Sequence, residues 1–151
     1  MPLQTICSMM QSRLLRYLKR LHAWNAAYED YARSVGLSYT SLSVLSALYG
    51  AENCTQKMLC ERCFLPKQTV NTTITAFYKK GWVRLEELPE DRRNKTIHFT
   101  PEGQTAADKI MRHVRESELK SMGSLSESER LVLLSVTKRY VAGCKEAMKG
   151  L

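Results

Sequence analysis

Three cysteines, Cys54, Cys60 and Cys63, fall within CTQKMLCERCFLPKQTV (54–70), and the last two have the Cys-x-x-Cys spacing of zinc and dithiol centres. A structural zinc ion needs four ligands in a tetrahedron, commonly from two separated pairs. Only one such pair is present, and His22, His98 and His113 fall on different expected elements, so no metal is expected. A thioredoxin-type dithiol sits in a strand, turn and helix, and that context is missing from the pattern. Helical phase gives the thiols another role. Cys63 follows Leu59 by four residues and shares its inward stripe, and cysteine packs as a small hydrophobe. The three thiols are therefore expected to be packing residues, with a redox- or metal-responsive regulator using Cys60 and Cys63 retained as the alternative. The N-terminus lacks the pattern of a secretory signal, so a cytoplasmic location with all five cysteines as thiols is expected, Cys7 and Cys144 being the other two.

A second set of chemically competent residues begins where the cysteines end. Between Lys67 and Lys79, the residues Val70, Ile74 and Phe77 mark one helical face. Away from them lie Lys67, Gln68, Thr69, Asn71, Thr72, Thr75 and Lys79. Asparagine and glutamine amides match adenine edges, and threonine methyls pack against thymine methyls, so this face suits base reading in a major groove. Further on, Asp91, Arg92, Arg93, Asn94 and Lys95 concentrate charge in a loop, where arginines are drawn to a narrow A·T-rich minor groove. The formal charge is +8; nine Lys or Arg against five Asp or Glu between Thr55 and Lys95 place +4 of it in this segment. Double-stranded DNA is thus the expected partner. A membrane is not, since no apolar run reaches the roughly 20 residues of a span.

The elements that must position these residues follow from periodicity. A long amphipathic helix is expected over Ser8 to Val35, with Leu14, Leu18, Leu21, Trp24, Tyr28 and Tyr31 at spacings of three or four. Ser38 should cap a second helix and Thr55 should start a third. Pro66 belongs in the first turn of a fourth helix that Gly81 ends. The period then changes to two. Val83 and Leu85, and after the loop Pro89 to Lys95 Ile97 and Phe99, predict a hairpin with one buried face. Thr100-Pro101 opens another helix, and Ser126 to Glu129 is a capping box for the last, which bears Leu131, Leu134, Tyr140 and Val141. The expected fold is mainly α with a small β-hairpin. Two short helices joined by a tight turn and followed by a hairpin form a winged helix-turn-helix, a DNA-binding architecture.

TQKMLCERCFLPKQTVNTTITAFYKKGWVRL followed by EDRRNKTIHFTPEGQ resembles the MarR family of bacterial transcriptional regulators: the helix-turn-helix, the wing's Asp-x-Arg pair at Asp91 and Arg93, and Thr-Pro-x-Gly at the next helix. The resemblance implies a single domain over 1–151, with a winged lobe at 37–103 and a helical dimerisation region at 1–36 and 104–151. It further implies a homodimer, joined through such residues as Ile6, Met9, Leu131, Leu134, Tyr140 and Val141, acting on a pseudo-palindromic operator. Family members commonly repress genes and release DNA on binding a small molecule. Leu14, Leu18, Trp24, Tyr28 and Tyr39 would then line a cleft for an aromatic or lipophilic effector. Thr72 departs from the arginine frequent there in relatives, which shifts the expected DNA contacts toward methyl packing or toward the wing. One branch of the family senses peroxide through a first-helix cysteine held by two tyrosines. Tyr28 and Tyr39 match the tyrosines, but Leu14 stands at the thiol position, so that mechanism is not expected. A phosphate-cradling glycine loop, a nucleophile elbow and a histidine-carboxylate spacing are all missing, so neither enzymatic activity nor a cofactor is expected. A winged helix that binds protein instead of DNA is the remaining alternative.

Overall fold

A computed structural model describes the backbone of residues 3–88 and 91–149 and the side chains of 8–87 and 95–149. In chain order the elements are α1 (Leu3–Ser34), α2 (Tyr39–Leu48), β1 (Cys54–Thr55), α3 (Gln56–Cys63), α4 (Lys67–Lys79), β2 (Val83–Leu88), β3 (Asp91–Phe99), α5 (Pro101–Gly123) and α6 (Glu127–Lys149). The chain is mainly helical, with one antiparallel sheet in the order β1-β3-β2. It divides into two compact units, Met1–Asp108 and Lys109–Leu151.

The helix starts of the first unit are set by hydroxyl caps. Ser38 is extended and accepts the Ser41 N–H at 3.0 Å, and Thr55 accepts the Met58 N–H at 3.3 Å, each satisfying a donor that a helix leaves orphaned. Helix α3 ends at Phe64, a non-glycine residue in the left-handed region (φ 54°) and 81% exposed, and the Leu65 N–H bonds to the Cys60 carbonyl at 3.2 Å. Pro66, expected within the first turn of α4, instead occupies the N-cap, and it offers no side-chain cap. Gly81 (φ 72°) ends α4, with the Trp82 N–H reaching back to the Phe77 carbonyl at 2.9 Å.

The inner faces of these helices make the core. Leu42, Leu45 and Leu48 of α2, Leu59 of α3, and Val70, Ile74 and Phe77 of α4 are buried, each worth about 1.5–3 kcal/mol relative to exposure. Val83 and Ile97 add the sheet's contribution. Three expectations are corrected here. Leu85, expected on the buried hairpin face, is 41% exposed although it stands opposite Ile97. The expected loop Pro89 to Lys95 is shorter, because β3 already begins at Asp91. And Cys54 belongs to a strand of its own, paired with Ile97.

In the second unit, the turn from α5 to α6 is held by Arg130, whose Nε donates to the Met122 carbonyl at 2.9 Å. The capping box forms as expected: the Ser126 N–H donates to the Glu129 carboxylate at 2.8 Å, and the Glu129 N–H to the Ser126 hydroxyl at 3.3 Å. The Ser126 hydroxyl, then its N–H, hold the Glu129 carboxyl below its ordinary value. None of the described side chains of α6 is buried.

Candidate nucleic-acid interface

Helix α4 is amphipathic in the sense the sequence predicts. With Val70, Thr73, Ile74 and Phe77 buried, the outward stripe carries Gln68, Thr72, Thr75 and Lys79, separated by four, three and four residues. Lys67 and Asn71 are also exposed, whereas Thr69 is half-buried on the flank of the helix. The Thr72 hydroxyl donates to the Gln68 carbonyl at 3.0 Å, which leaves its oxygen to accept and its methyl to pack. Tyr78 is an exposed aromatic that the sequence reading missed. It follows Asn71 by seven residues, two helical turns, and that spacing could have placed it on the same flank.

Two side chains tie α3 to its neighbouring helices. Gln56 Nε2 donates to the Lys67 carbonyl at 3.0 Å, tying the start of α3 to the first turn of α4. Arg62 NH1 donates to the Ala47 carbonyl at 3.0 Å and joins α3 to α2.

The hairpin β2–β3 makes the wing. Its register runs from Val83 opposite Phe99 to Glu87 opposite Lys95, then shifts so that Leu88 stands opposite Asp91. The side chains of Asp91, Arg92, Arg93 and Asn94, and the expected Asp91–Arg93 pair, lie outside the described residues. Lys95 is exposed, with Nζ 3.6 Å from Glu87, an exposed pair worth little in water. Arg84 pairs with Glu86 and holds that carboxyl below its ordinary value, and His98 Nε2 lies 3.5 Å from Glu86. Two glutamates thus offset part of the wing's positive charge.

The wing meets α4 and α5 at a compact junction. The Phe77 ring stacks on Trp82 at 5.6 Å between centroids, and Lys80 Nζ lies 4.9 Å from the Trp82 ring centroid on its face. Thr100 donates its N–H to the Trp82 carbonyl (3.0 Å) and its hydroxyl to the Gly81 carbonyl (2.6 Å), and accepts the Gly103 N–H (3.0 Å).

The cysteines stand apart from the polar face. Cys54 is fully buried and Cys60 and Cys63 are half-buried; Cys63 Sγ donates to the Ser43 carbonyl at 3.6 Å. Burial pushes the Cys54 and Cys63 thiols up, the reverse of the shift that makes a thiol reactive. Cys54 should therefore be alkylated at least about tenfold more slowly in folded than in urea-unfolded protein at pH 8, read by peptide mass spectrometry. Equal rates would contradict its burial. Among the described residues, no group of three His, Cys, Asp or Glu is arranged to hold a metal ion.

The expected cleft residues are only partly assembled. Trp24, Tyr28 and Tyr39 form an edge-to-face series with centroid separations of 6.1 and 6.4 Å. Leu14 stands ten residues before Trp24, about 15 Å along α1, and Leu14, Trp24 and Tyr39 are exposed. Of the residues expected at a dimer contact, Met9, Leu131, Leu134, Tyr140 and Val141 are exposed, and the Ile6 side chain lies outside the described residues.

Helix-turn-helix, wing and outward polar stripe define a winged helix-turn-helix protein. Residues 35–94 match the model of the MarR family. That segment, which holds the helix-turn-helix and the start of the wing, is similar to the MarR family, the family that the motifs resemble. It is 36% identical over 76 residues to the HTH-type transcriptional regulator SarZ of Staphylococcus epidermidis, an alignment covering 50% of this chain and 51% of that protein. The chain thus spans about half the length of the SarZ proteins it matches. NMB1585, a MarR family regulator from Neisseria meningitidis, has the same fold (TM-score 0.73, 23% identity, 90% of this chain and 95% of that one). So does Bordetella bronchiseptica BpsR, whose DNA binding is regulated by 6-hydroxynicotinic acid (TM-score 0.67, 18% identity, 85% and 98%). These relatives are regulators, not enzymes, and no helix among the described residues is long and apolar enough to cross a membrane.

Proposed function

We propose that the protein is a sequence-specific, DNA-binding transcriptional regulator, a cytoplasmic repressor that acts as a homodimer on a pseudo-palindromic operator. The observation that carries this reading is the outward stripe of α4, where Gln68, Thr72, Thr75 and Lys79 stand exposed opposite a fully buried face. A helix so divided presents amides, hydroxyls and methyls at a pitch that fits a major groove, and two copies one DNA turn apart read a palindrome. Lys95, Arg92 and Arg93 supply charge from the wing. In vitro selection from a randomised 30-base-pair duplex library tests the reading: a palindromic consensus is expected, and no enrichment would reject it.

The dimer is supported by α6. Leu131 and Leu134 are 63% and 62% exposed, and Tyr140, Val141 and Met148 add to an apolar surface that a monomer would leave in water. Leu134→Asp is expected to convert the dimer to a monomer in light scattering and to weaken binding to the palindrome. An unchanged dimer would move the interface elsewhere, and the terminal regions 1–36 and 104–151 would lose that role. The edge-to-face series Trp24, Tyr28 and Tyr39 supports an aromatic effector as the releasing ligand, the kind of compound that regulates BpsR.

A further inference from the structure

The recognition helix and the wing can serve one duplex only if the angle between them is held, and the described contacts converge on one side chain that could hold it. Thr100 lies at the end of β3 and immediately before α5. Its hydroxyl is used twice, donating to the Gly81 carbonyl just beyond α4 and accepting the Gly103 N–H in the first turn of α5. Its own N–H donates to the Trp82 carbonyl, immediately before β2. One residue therefore bonds to the C-terminal end of α4, the root of the wing and the start of α5.

The neighbouring chemistry shows that this is a fixed joint. Trp82 is stacked on Phe77 of α4, so the root of the wing is also packed against the recognition helix. Gly103 approaches the Trp82 carbonyl so closely that no side chain fits between them. Beyond this point the wing is a β2–β3 ladder, and its described ion pairs, Arg84 with Glu86 and Lys95 with Glu87, are exposed and add little to hold its direction. The wing is thus a lever whose aim is set at its root.

We propose that the Thr100 hydroxyl is a positioning residue for DNA binding, setting the angle between the α4 reading face and the wing by bridging Gly81 and Gly103. It touches no DNA itself. The inference rests on the DNA-binding reading above, and the experiment separates the two. The probe is the duplex enriched by wild-type protein in the selection, labelled with fluorescein and titrated at fixed salt. Failure of the wild type to enrich or bind any duplex would sink that reading, and the positioning role with it.

Given wild-type binding, Thr100→Val, which keeps the shape but loses donor and acceptor, is expected to bind about tenfold more weakly. Thr100→Ser, which keeps both bonds, should bind within about twofold of wild type. The deciding measurement is a pair of double-substitution cycles. Lys95→Ala in the wing should cost several-fold in wild type and almost nothing in Thr100→Val, because a misaimed wing has already lost that contact. Gln68→Ala on α4 should cost the same in both backgrounds. General destabilisation would leave both cycles additive, and that result, or wild-type affinity in Thr100→Val, would overturn the proposal. If Thr100→Val does not fold, Thr100→Ser decides: a tenfold loss with the hydroxyl present would equally overturn it.

Discussion

Gly103→Ala is expected to lower the stability of the protein by about 3 kcal/mol. In an ordinary helix position this substitution stabilises by about 1 kcal/mol, because alanine has the higher helix propensity. Here a Cβ would stand 1.8 Å from the Trp82 carbonyl oxygen and 2.5 Å from its carbon, and those atoms are backbone, held by the Thr100 N–H on the carbonyl and by the bond of the Trp82 N–H to the Phe77 carbonyl. They cannot rotate aside as a long side chain would. Either α5 withdraws from the wing or the Thr100 bonds break, and either cost exceeds the propensity gain. Urea midpoints measured at one chain concentration should show the loss. A midpoint at or above wild type would mean that α5 and Trp82 are not in this contact.

Operator affinity is expected to fall by about 10³-fold or more between 50 and 200 mM salt. Lys67 and Lys79 of α4 and Lys95 of the wing are exposed cations, joined by Arg92 and Arg93 of the sequence. If three or four of these in each protomer neutralise phosphates, a dimer covers about 6 to 8, and the slope of log affinity against log salt is about −6. The paired change Lys67→Ala with Lys79→Ala should flatten that slope by about 3 to 4, since each dimer loses four such contacts. Gln68→Ala should weaken binding to the selected duplex while leaving the slope unchanged, because an amide that reads a base releases no counterion. A wild-type slope shallower than about −2 would leave too few phosphate contacts for this surface to be the interface.

What could be read from the sequence was what depends on neighbours in the chain. The caps at Ser38, Thr55, Thr100 and Ser126 are hydroxyls acting on N–H groups three residues away, so the residue type and its place before an apolar period are enough to locate them. The outward face of α4 followed from phase in the same way, and the same phase places Tyr78 on its flank, two turns after Asn71. Strand β1 was out of reach: two residues show no alternation, and Cys54 is a strand residue only because Ile97 lies beside it. The early start of β3 was hidden because Asp91 to Lys95 are all polar, so a ladder held by backbone bonds left no mark in the hydrophobic pattern. Leu85 continued the alternation of Val83 but is exposed, because period two says which face a residue points to and not how far the neighbouring helices extend over it. The Thr-Pro-x-Gly motif was legible as the start of a helix. That its glycine lies against a tryptophan carbonyl is a tertiary fact, set by where the wing root returns to α5.

The order of the sheet bears on how the protein behaves in a crowded solution. With β3 in the middle, the strands at its margins are β1, two residues long, and β2, six residues long. A two-residue strand is too short to template a neighbouring chain. Strand β2 is long enough, but Arg84, Glu86 and Glu87 stud it with charge, and docking an identical strand would press like charges together or bury them. The two glutamates that dilute the wing's positive potential therefore also help, with Arg84, to guard the open margin of the sheet against self-association. A variant stripped of Glu86 and Glu87 to sharpen its grip on phosphate would be expected to lose colloidal stability as it gained affinity.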